Sequence, residues 1–430
     1  MSTRSIAVLP LASRTDDGSG LGQGIADEII HALSWVDGLR VAPIASSMRF
    51  TSASGEFRAV ADRLRVDTLL LGELQRTDGR FELKAQLLEP AGNRVLWTSD
   101  YDVPADQLQD AVDNILRHVA RTLDVTIRDE KQLSVKPGST ANAQAYDAYL
   151  HGLNYYFRYA AKNLQRALQM FEQAVKADSA FARAWAKLAE CHAKYFMYYD
   201  STGREHVDRA LAASKRAVEL APEFSRAHAA RGVALLINKD FAAAEDAFTK
   251  AVEINPRLFD AWYQHARACF QQGNLKRAAE LFERAAQIQP EDYQTPLLLR
   301  QVYLSLGRVD EAKATAQRGL VLAQRHLELN AKDARAVYLA CGSMIQLGMY
   351  QQAMQWSEKA LAIDPDDPMI NYNVACCYAQ AGEPEKALDC LEKAKGSGNF
   401  SAGWLKNDSD LFSLHDHPRF RSLLEELRAQ

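Results

Sequence analysis

The sequence of 430 residues lacks a long hydrophobic run and an excess of charge of either sign. No apolar stretch approaches the roughly 18 residues that a membrane span needs, so we expect no transmembrane helix. The 51 basic and 55 acidic residues leave a formal net charge of -4, which gives no bulk attraction to phosphate backbones or anionic lipids. We therefore expect neither a nucleic acid nor a membrane as the direct partner, although a local basic patch would be compatible with this charge.

Cysteine is also scarce, and its spacing carries little chemistry. The six cysteines show no CxxC pattern, and all fall in predicted helices, where buried thiols behave as small apolar side chains. The first residues, Met1 to Ser13, form too short an apolar stretch for a secretory signal, and acidic residues follow too soon. These features favour a cytoplasmic location, provided that the chain is the whole protein.

Motifs of catalysis are missing as well. GxSxG, HExxH and the GK[ST] of a phosphate loop do not occur. The stretch Gly18 to Gly24 lies too far from the preceding strand for a dinucleotide fingerprint, so a flexible loop at a helix start is favoured. Asp27 and Glu28 are adjacent on a predicted helix and do not converge, which favours a solvated face over a catalytic acid pair.

Two further clusters favour structural roles over metal or redox chemistry. The run from His415 to His417 resembles a metal-binding tripeptide, but no nearby Cys or His completes four ligands, and helix capping before Pro418 is favoured. Cys376 and Cys377 are adjacent on a helix and point about 100° apart. We therefore predict a non-enzymatic chain without a cofactor or a metal.

Small residues recur at a fixed interval through the second part of the chain. A second small slot lies seven residues after the first in every unit, which is two turns along the same helical face. Paired small residues let a neighbouring helix approach closely, so this spacing predicts stacked helix pairs. The first slot steps by 34 residues in four of six intervals and by 43 and 41 in the others, at Ala167, Ala210, Ala244, Ala278, Ala312, Ala353 and Ala387.

Glycines such as Gly273 and Gly307 lie between the predicted helices of a unit, where a residue with positive φ ends the first helix. This 34-residue helix–turn–helix unit, with its small, aromatic and proline slots, resembles the tetratricopeptide repeat. The resemblance implies an all-α superhelical solenoid of seven repeats over residues 142–398, with a helical cap over 399–430. Seven extra residues near Leu322 to Glu328 are expected to lengthen the second helix of the fifth unit.

Residues 1–126 lack the repeat and show strand and helix patterns instead. The order of predicted elements is β-α-β-α-β-β-β-α, which indicates an α/β domain with a mixed sheet and three helices. A linker over residues 127–141 is expected to join this domain to the repeats. The three predicted helices are Leu21 to Leu33, Phe57 to Leu64 and Leu108 to Leu123.

Several phrases of this front domain, Ile6 to Pro10, Gly24 to Ile29, Gly72 to Gln75 and Leu96 to Thr98, resemble the TolB-type amino-terminal domain. In bacteria, such a domain joined to tetratricopeptide repeats forms the rear portion of signalling proteins. Their fronts are adenylate cyclase domains or CadC-like winged helices, and this sequence carries neither. The resemblance therefore implies a bacterial sensory or docking module.

In repeats of this kind the first helices line a concave groove, and the side chains not used in packing face a ligand. Tyrosine and arginine at such positions are residues that interfaces favour. Some of these tyrosines could instead pack on a neighbouring unit. The Lys/Asn set of a carboxylate-clamp groove is not matched, so a chaperone tail is not expected. The candidate partner-binding residues are Tyr146, Tyr149, Tyr156, Tyr263, Arg267, Phe270, Gln301, Arg335, Tyr338 and Tyr372.

These expectations support one leading function and one alternative. The leading hypothesis is a protein-interaction scaffold that binds a peptide or protein partner in the repeat groove, in bacterial signalling or regulation. The alternative is the sensory or effector half of a transcription regulator or an adenylate-cyclase system, with its output domain elsewhere.

Overall fold

The computed structural model divides into two compact units, which we call the first unit (residues 1–193 and 207–261) and the second unit (194–206 and 262–430). Among the described residues, no helix combines the length and the apolar character that a membrane span requires. The structure describes residues 4–13, 21–50, 52, 55–125, 133–157, 161–199, 203–395 and 402–429.

The first unit begins with a sheet of strands β1 (Arg4–Val8), β2 (Ala12–Ser13), β3 (Leu39–Val41), β4 (Thr68–Thr77), β5 (Arg80–Glu89) and β6 (Arg94–Pro104). Their spatial order is β3-β1-β4-β5-β6, with the short β2 beside β4. Strand β1 runs parallel to β3 and β4, whereas β4, β5 and β6 form antiparallel pairs. The predicted mixed sheet is confirmed.

Helices α1 (Leu21–Leu33), α2 (Ile44–Ser47), α3 (Phe57–Leu64) and α4 (Leu108–Thr122) accompany the sheet. Helices α1 and α4 pack against each other, and α4 also packs on β5 and β6. Burial alternates along β5, because successive side chains point to opposite faces and only one face is covered. The observed bounds of α1 and α3 match the predicted ones.

The remaining chain consists mainly of helix pairs in sequence: α5 (Ala143–Tyr156) and α6 (Ala161–Ala177), α7 (Ala182–Tyr198) and α8 (Arg204–Leu220), α9 (Ser225–Ile237) and α10 (Phe241–Ile254), α11 (Phe259–Gln271) and α12 (Leu275–Ile288), α13 (Gln294–Ser305) and α14 (Val309–Leu329), α15 (Ala334–Gln346) and α16 (Tyr350–Ile363), α17 (Pro368–Gln380) and α18 (Pro384–Ala394). All seven alanines of the first predicted slot are 0% exposed, as close helix packing requires. Helix α14 has 21 residues and α12 has 14, because the seven extra residues extend α14 as predicted.

Turn residues between paired helices adopt the expected left-handed backbone. Gly273, Gly307, Gly348 and Gly382 have φ between 74° and 80°. Lys239 occupies the same place in the third pair with φ 64°, a conformation that costs a non-glycine residue energy. Positive φ at this point ends the first helix and lets the chain reverse into the second.

The chain ends in the predicted helical cap. Helix α19 (Ala402–Asn407), a 3₁₀ turn over Ser409–Leu414 and α20 (Pro418–Ala429) follow the last pair. Leu411, Leu414 and Phe420 are at most 1% exposed and join the apolar core formed with α15 to α18.

Candidate functional site

Helix α1 of the front domain lies against the first helices of the first three pairs. The Tyr149 hydroxyl on α5 donates a hydrogen bond of 2.9 Å to Glu28 Oε1, and Arg183 on α7 forms an ion pair with Glu28. Arg226 on α9 pairs with Asp27 at 3.2 Å. Each of these three helices therefore contributes an inward side chain that holds a carboxylate of α1.

The prediction of a solvated face for Asp27 and Glu28 is wrong. Their exposed fractions are 2% and 0%. A carboxylate loses its hydration when buried, and only charged or hydrogen-bonding partners compensate for that loss. Arg183, Arg226 and Tyr149 supply those partners. The two acidic side chains therefore hold α1 against the helix pairs instead of facing solvent.

The tyrosines predicted to line an open groove in the first pair are covered. Tyr146 and Tyr149 are 3% and 1% exposed, and burial raises the pKa of both hydroxyls. Tyr156 is 8% exposed and donates a hydrogen bond of 2.9 Å to Glu190. The expectation that Tyr146 and Tyr149 face an open groove is corrected, because other parts of the first unit cover them.

The close approach of α1 to α5 depends on Gly24. A Cβ atom at this position would lie 2.7 Å from Leu150 Cδ2 and 3.0 Å from Leu150 Cα. A Cβ at Gly22 would lie 2.1 Å from the Leu11 carbonyl oxygen. These two glycines of the predicted flexible stretch are packing residues, whereas Gly18 to Gly20 lie outside the described residues.

Part of the predicted linker, residues 133–140, also packs in the first unit. Asp113 on α4 accepts hydrogen bonds from the Val135 backbone at 2.8 Å and from the Ser134 hydroxyl at 2.6 Å. The Arg183 Nε donates to the Pro137 carbonyl at 2.8 Å. The described part of this segment is therefore fixed against both the front domain and the repeats.

His31 on α1 completes the docked face. Its ring makes a T-shaped contact with Phe224, with centroids 6.1 Å apart. Burial lowers the pKa of His31 well below its ordinary value, and the nearby Arg226 and Arg183 lower it further. The imidazole is therefore held neutral beside the ion pairs.

The inner positions of the second unit bring arginines and tyrosines together as well. Arg335 on α15 donates to Gln294 Oε1 at 2.7 Å, to the Tyr338 hydroxyl at 3.2 Å and to the Tyr263 hydroxyl at 3.3 Å. Arg267 lies over the Tyr263 ring, 5.9 Å from its centroid. We call this group the Arg–Tyr cluster, and its members are Tyr198, Tyr263, Arg267, Gln294, Arg335 and Tyr338.

The two guanidinium groups of the cluster have neutral partners. Among the described residues, no carboxylate forms an ion pair with Arg267 or Arg335. The nearby Asp292 instead accepts hydrogen bonds of 2.6 Å from the Thr295 backbone and hydroxyl. Burial raises the pKa of Asp292, and Arg335 is among the groups that lower it, so this carboxylate lies near Arg335 without bonding to it. The cluster therefore carries two guanidinium groups that no described carboxylate bonds directly.

Tyr198 reports that positive charge. Burial alone would raise the pKa of its hydroxyl, but Arg267, Arg335 and Lys194 outweigh burial and lower this pKa to about 7. No role was assigned to this residue from the sequence. The aromatic run from Tyr195 to Tyr199 at the end of α7 was the available signal.

Of the seven predicted groove residues in the second unit, four lie together in the cluster and three do not. Phe270 and Gln301 are half-buried on α11 and α13 and share none of the cluster's hydrogen bonds among the described residues. Tyr372 is 6% exposed and donates to Asp408. The four that meet are Tyr263, Arg267, Arg335 and Tyr338.

Cys376, Asp408 and Asp410 place three ligand-type atoms within 4.8 Å of one another. Burial raises the pKa of the Cys376 thiol well above its usual value, and Asp408 and Asp410 raise it further, which opposes the thiolate that a metal needs. The buried Arg300 adds positive charge near Asp410. This cluster is therefore poorly suited to a cation.

The other clusters weighed from the sequence also have ordinary partners. Asp416 pairs with Arg421 at 2.7 Å, and His417 lies 3.2 Å from Glu385. A cavity of about 10 Å³ in the front domain has room for about one water. Its apolar lining includes Val8, Ile29, Leu70 and Ile115.

Comparisons with known proteins agree with the two kinds of structure. Models described as tetratricopeptide repeat match residues 270–336, 344–404 and 203–259. A model described as the second domain of a HilA/YgeH-like transcriptional regulator matches residues 2–119. The helices over residues 203–259, 270–336 and 344–404 thus belong to tetratricopeptide repeats. The front domain is similar to a regulator domain, and the matching model is not described as TolB-type.

The individual relatives share low sequence identity with this chain. Putative adenylate cyclase 3 of Rhizobium meliloti is 25% identical over 246 residues, which are 56% of this chain and 42% of that protein. Anaphase-promoting complex subunit 3 of Schizosaccharomyces pombe is 25% identical over 205 residues, 48% of this chain and 28% of that protein. The crystal structure of YrrB, a TPR protein, is 22% identical with a TM-score of 0.31, covering 51% of this chain and 98% of that one. The chain thus spans less than half the length of these two curated relatives.

Proposed function

We propose that this chain, in which tetratricopeptide repeats follow a regulator-like α/β domain, is a non-enzymatic interaction scaffold that binds a protein or peptide partner on the inner positions of its second unit. The observation that carries the proposal is the Arg–Tyr cluster. Arg267 and Arg335 are half-buried and have neutral partners. Tyr263 and Tyr338 are buried beside Arg335. Arginine and tyrosine are residue types that dominate binding energy at interfaces.

The regulator-like front domain has a structural part in this proposal. Because α1 covers the inner side chains of the first pairs, the front domain and these pairs act as one body that leaves partner binding to the second unit. We place the protein in the bacterial cytoplasm. We also assign residues 1–126 to a TolB-type domain, because sequence segments in its strands and in α1 resemble that domain.

The test uses side-chain changes that delete polar groups without opening a cavity. Tyr263 is 5% exposed and its ring meets Phe282, so truncation to alanine would destabilise the second unit. The double variant Tyr263→Phe with Arg267→Gln instead keeps the ring. We expect affinity capture from native lysate to lose its specific protein while thermal melting changes little.

A matched control distinguishes the cluster from the rest of the surface. Tyr350, 52% exposed, and the exposed Arg277 lie on outer helices α16 and α12 of the same unit. Tyr350→Phe with Arg277→Gln makes the same chemical change and should retain the partner. Equal capture by both double variants would contradict the proposal.

A second candidate is the sensory or effector half of a transcription regulator or adenylate-cyclase system. The match of residues 2–119 to a regulator domain and the similarity to a putative adenylate cyclase favour it. The protein purified from its natural source would then have a mass well above 47.9 kDa or co-purify with an output protein. A mass of 47.9 kDa without such a companion would contradict this candidate.

A further inference from the structure

In the first unit, the inward arginine and tyrosine side chains bind carboxylates. Tyr149, Arg183 and Arg226 hold two carboxylates that are consecutive on one helix, Asp27 and Glu28. Two guanidinium groups and one phenol, placed on successive first helices, thus match a pair of acidic side chains. The ligand in this case is a segment of the same chain.

The second unit repeats these residue types in the same register. Arg335 occupies the position in its repeat that Arg183 and Arg226 occupy in theirs, and Tyr263 and Tyr338 occupy the position of Tyr149. In the first unit the arginines at this position pair with acidic side chains. The guanidinium of Arg335 instead bonds only hydroxyl and amide groups among the described residues. The same residue types are therefore present without a described carboxylate bonded to Arg335.

The electrostatics of the cluster favour an anion. Burial lowers the pKa of Arg335, but the hydroxyls of Tyr338, Tyr263 and Tyr198 outweigh it, so the guanidinium stays charged. The lowered pKa of Tyr198 shows that even a phenol is driven toward its anion here. A carboxylate that accepts from an arginine forms a charge-assisted hydrogen bond, which is about twice as strong as a neutral one.

We propose that the Arg–Tyr cluster is a binding site for an acidic segment of a partner protein, in which carboxylate side chains pair with Arg267 and Arg335 as Asp27 and Glu28 pair with Arg226 and Arg183 in the first unit. This inference rests on the proposed function and names the chemistry of the partner. Tyr263 and Tyr338 already bond Arg335, so they fix its guanidinium fork for a carboxylate. Tyr198 lies beside both arginines, and its hydroxyl is the internal group that the ligand displaces from Arg267.

The experiment measures binding of a fluorescently labelled oligoglutamate peptide to the full chain, with oligoglutamine as the uncharged control. For Arg267→Gln with Arg335→Gln we expect Kd to rise at least about tenfold, because the variant loses the charge-assisted hydrogen bonds of both guanidinium groups. Arg335→Lys keeps the charge but loses the planar fork, so we expect an intermediate rise.

The matched control is Arg277→Gln with Arg284→Gln. Both arginines are exposed in the second unit, so this pair removes the same total charge away from the cluster. We expect Kd to change by less than about twofold, since exposed ion pairs contribute little. Thermal melting of each variant checks that the fold persists.

Three results would overturn the inference: equal losses in both arginine pairs, equal binding of oligoglutamine, or binding of single-stranded DNA at these arginines that oligoglutamate fails to displace. The last result would identify a nucleic-acid site. Another outcome is that oligoglutamate fails to bind while the variant Tyr263→Phe with Arg267→Gln still loses the cellular partner. That result would reject an acidic segment as the ligand and would leave the proposed scaffold function standing. If the partner is also retained, both fail.

Discussion

The two units use the same repeat positions in opposite ways. In the first unit, inward tyrosine and arginine side chains hold a helix of the chain itself through buried ion pairs. In the second unit, Arg335 bonds Tyr263 and Tyr338 at the equivalent positions, and no described carboxylate bonds this arginine directly. The difference shows that a repeat position specifies where a side chain points, whereas its role depends on what covers it.

The largest expected effect separates the two kinds of arginine. Arg183→Gln leaves the Glu28 carboxylate buried without its cation, so we expect the first unit to lose about 3–5 kcal/mol of stability. Arg335→Gln removes bonds to neutral groups only, and we expect a loss of about 1 kcal/mol or less in the second unit. Amide hydrogen exchange in α5 and in α15 measures the two local stabilities. Similar losses of stability in both variants would contradict the different roles assigned to Arg183 and Arg335.

A smaller effect is expected where α1 touches α5. Gly24→Ala adds a Cβ that would lie 3.0 Å from the Leu150 backbone, so α1 must shift, at a cost of about 1–3 kcal/mol. Gly92→Ala is the control, because its Cβ would meet only the Glu89 side chain, at 3.7 Å. Thermal melting compares the two, and equal melting temperatures would argue against close docking of α1.

Acid should weaken the first unit through His31. Its pKa is lowered in the folded chain, so its contribution to stability is present above about pH 6.5 and is lost as the pH falls, because the unfolded chain then binds a proton that the folded chain excludes. The slope is up to about 1.4 kcal/mol per pH unit. His31→Gln should flatten the dependence of first-unit amide exchange between about pH 7 and about pH 5. An unchanged slope would show that other groups set it.

The smallest expected effect concerns the pH dependence of binding in the second unit. Because the pKa of Tyr198 is about 7, a rise in pH places a phenolate beside Arg267 that competes with a carboxylate ligand. We expect oligoglutamate binding to weaken about threefold between about pH 6 and about pH 8, and Tyr198→Phe to abolish that change. An identical pH profile in the variant would contradict it. The charged and titratable groups that face Tyr198 are Lys194, Tyr199, Tyr263, Arg267, Arg335 and Tyr338.

Local and periodic features of the fold were predictable from the sequence. Helices α1 and α3 begin and end where their apolar spacing placed them, and the alanine slots are buried at every repeat. Both depend on contacts between neighbouring turns or neighbouring helices, which a linear pattern records. The longer α14 follows from the same register.

What covers the inner positions was not predictable from this pattern. Glu28 meets Tyr149 and Arg183 across 121 and 155 residues, and periodicity does not record such distant partners. One local signal existed. Apart from Gln23, Asp27, Glu28 and His31, helix α1 consists of apolar or small residues, and such a helix is typical of a buried element rather than a solvated one.

The most direct test of the contrast between the units is an amide-exchange footprint of the full chain with and without oligoglutamate. If the second unit alone offers arginine and tyrosine side chains to an acidic segment, protection should appear in α11, α13 and α15 and leave α5 and α9 unchanged. Protection in α5 and α9, or none in α13 and α15 at saturating peptide, would contradict it.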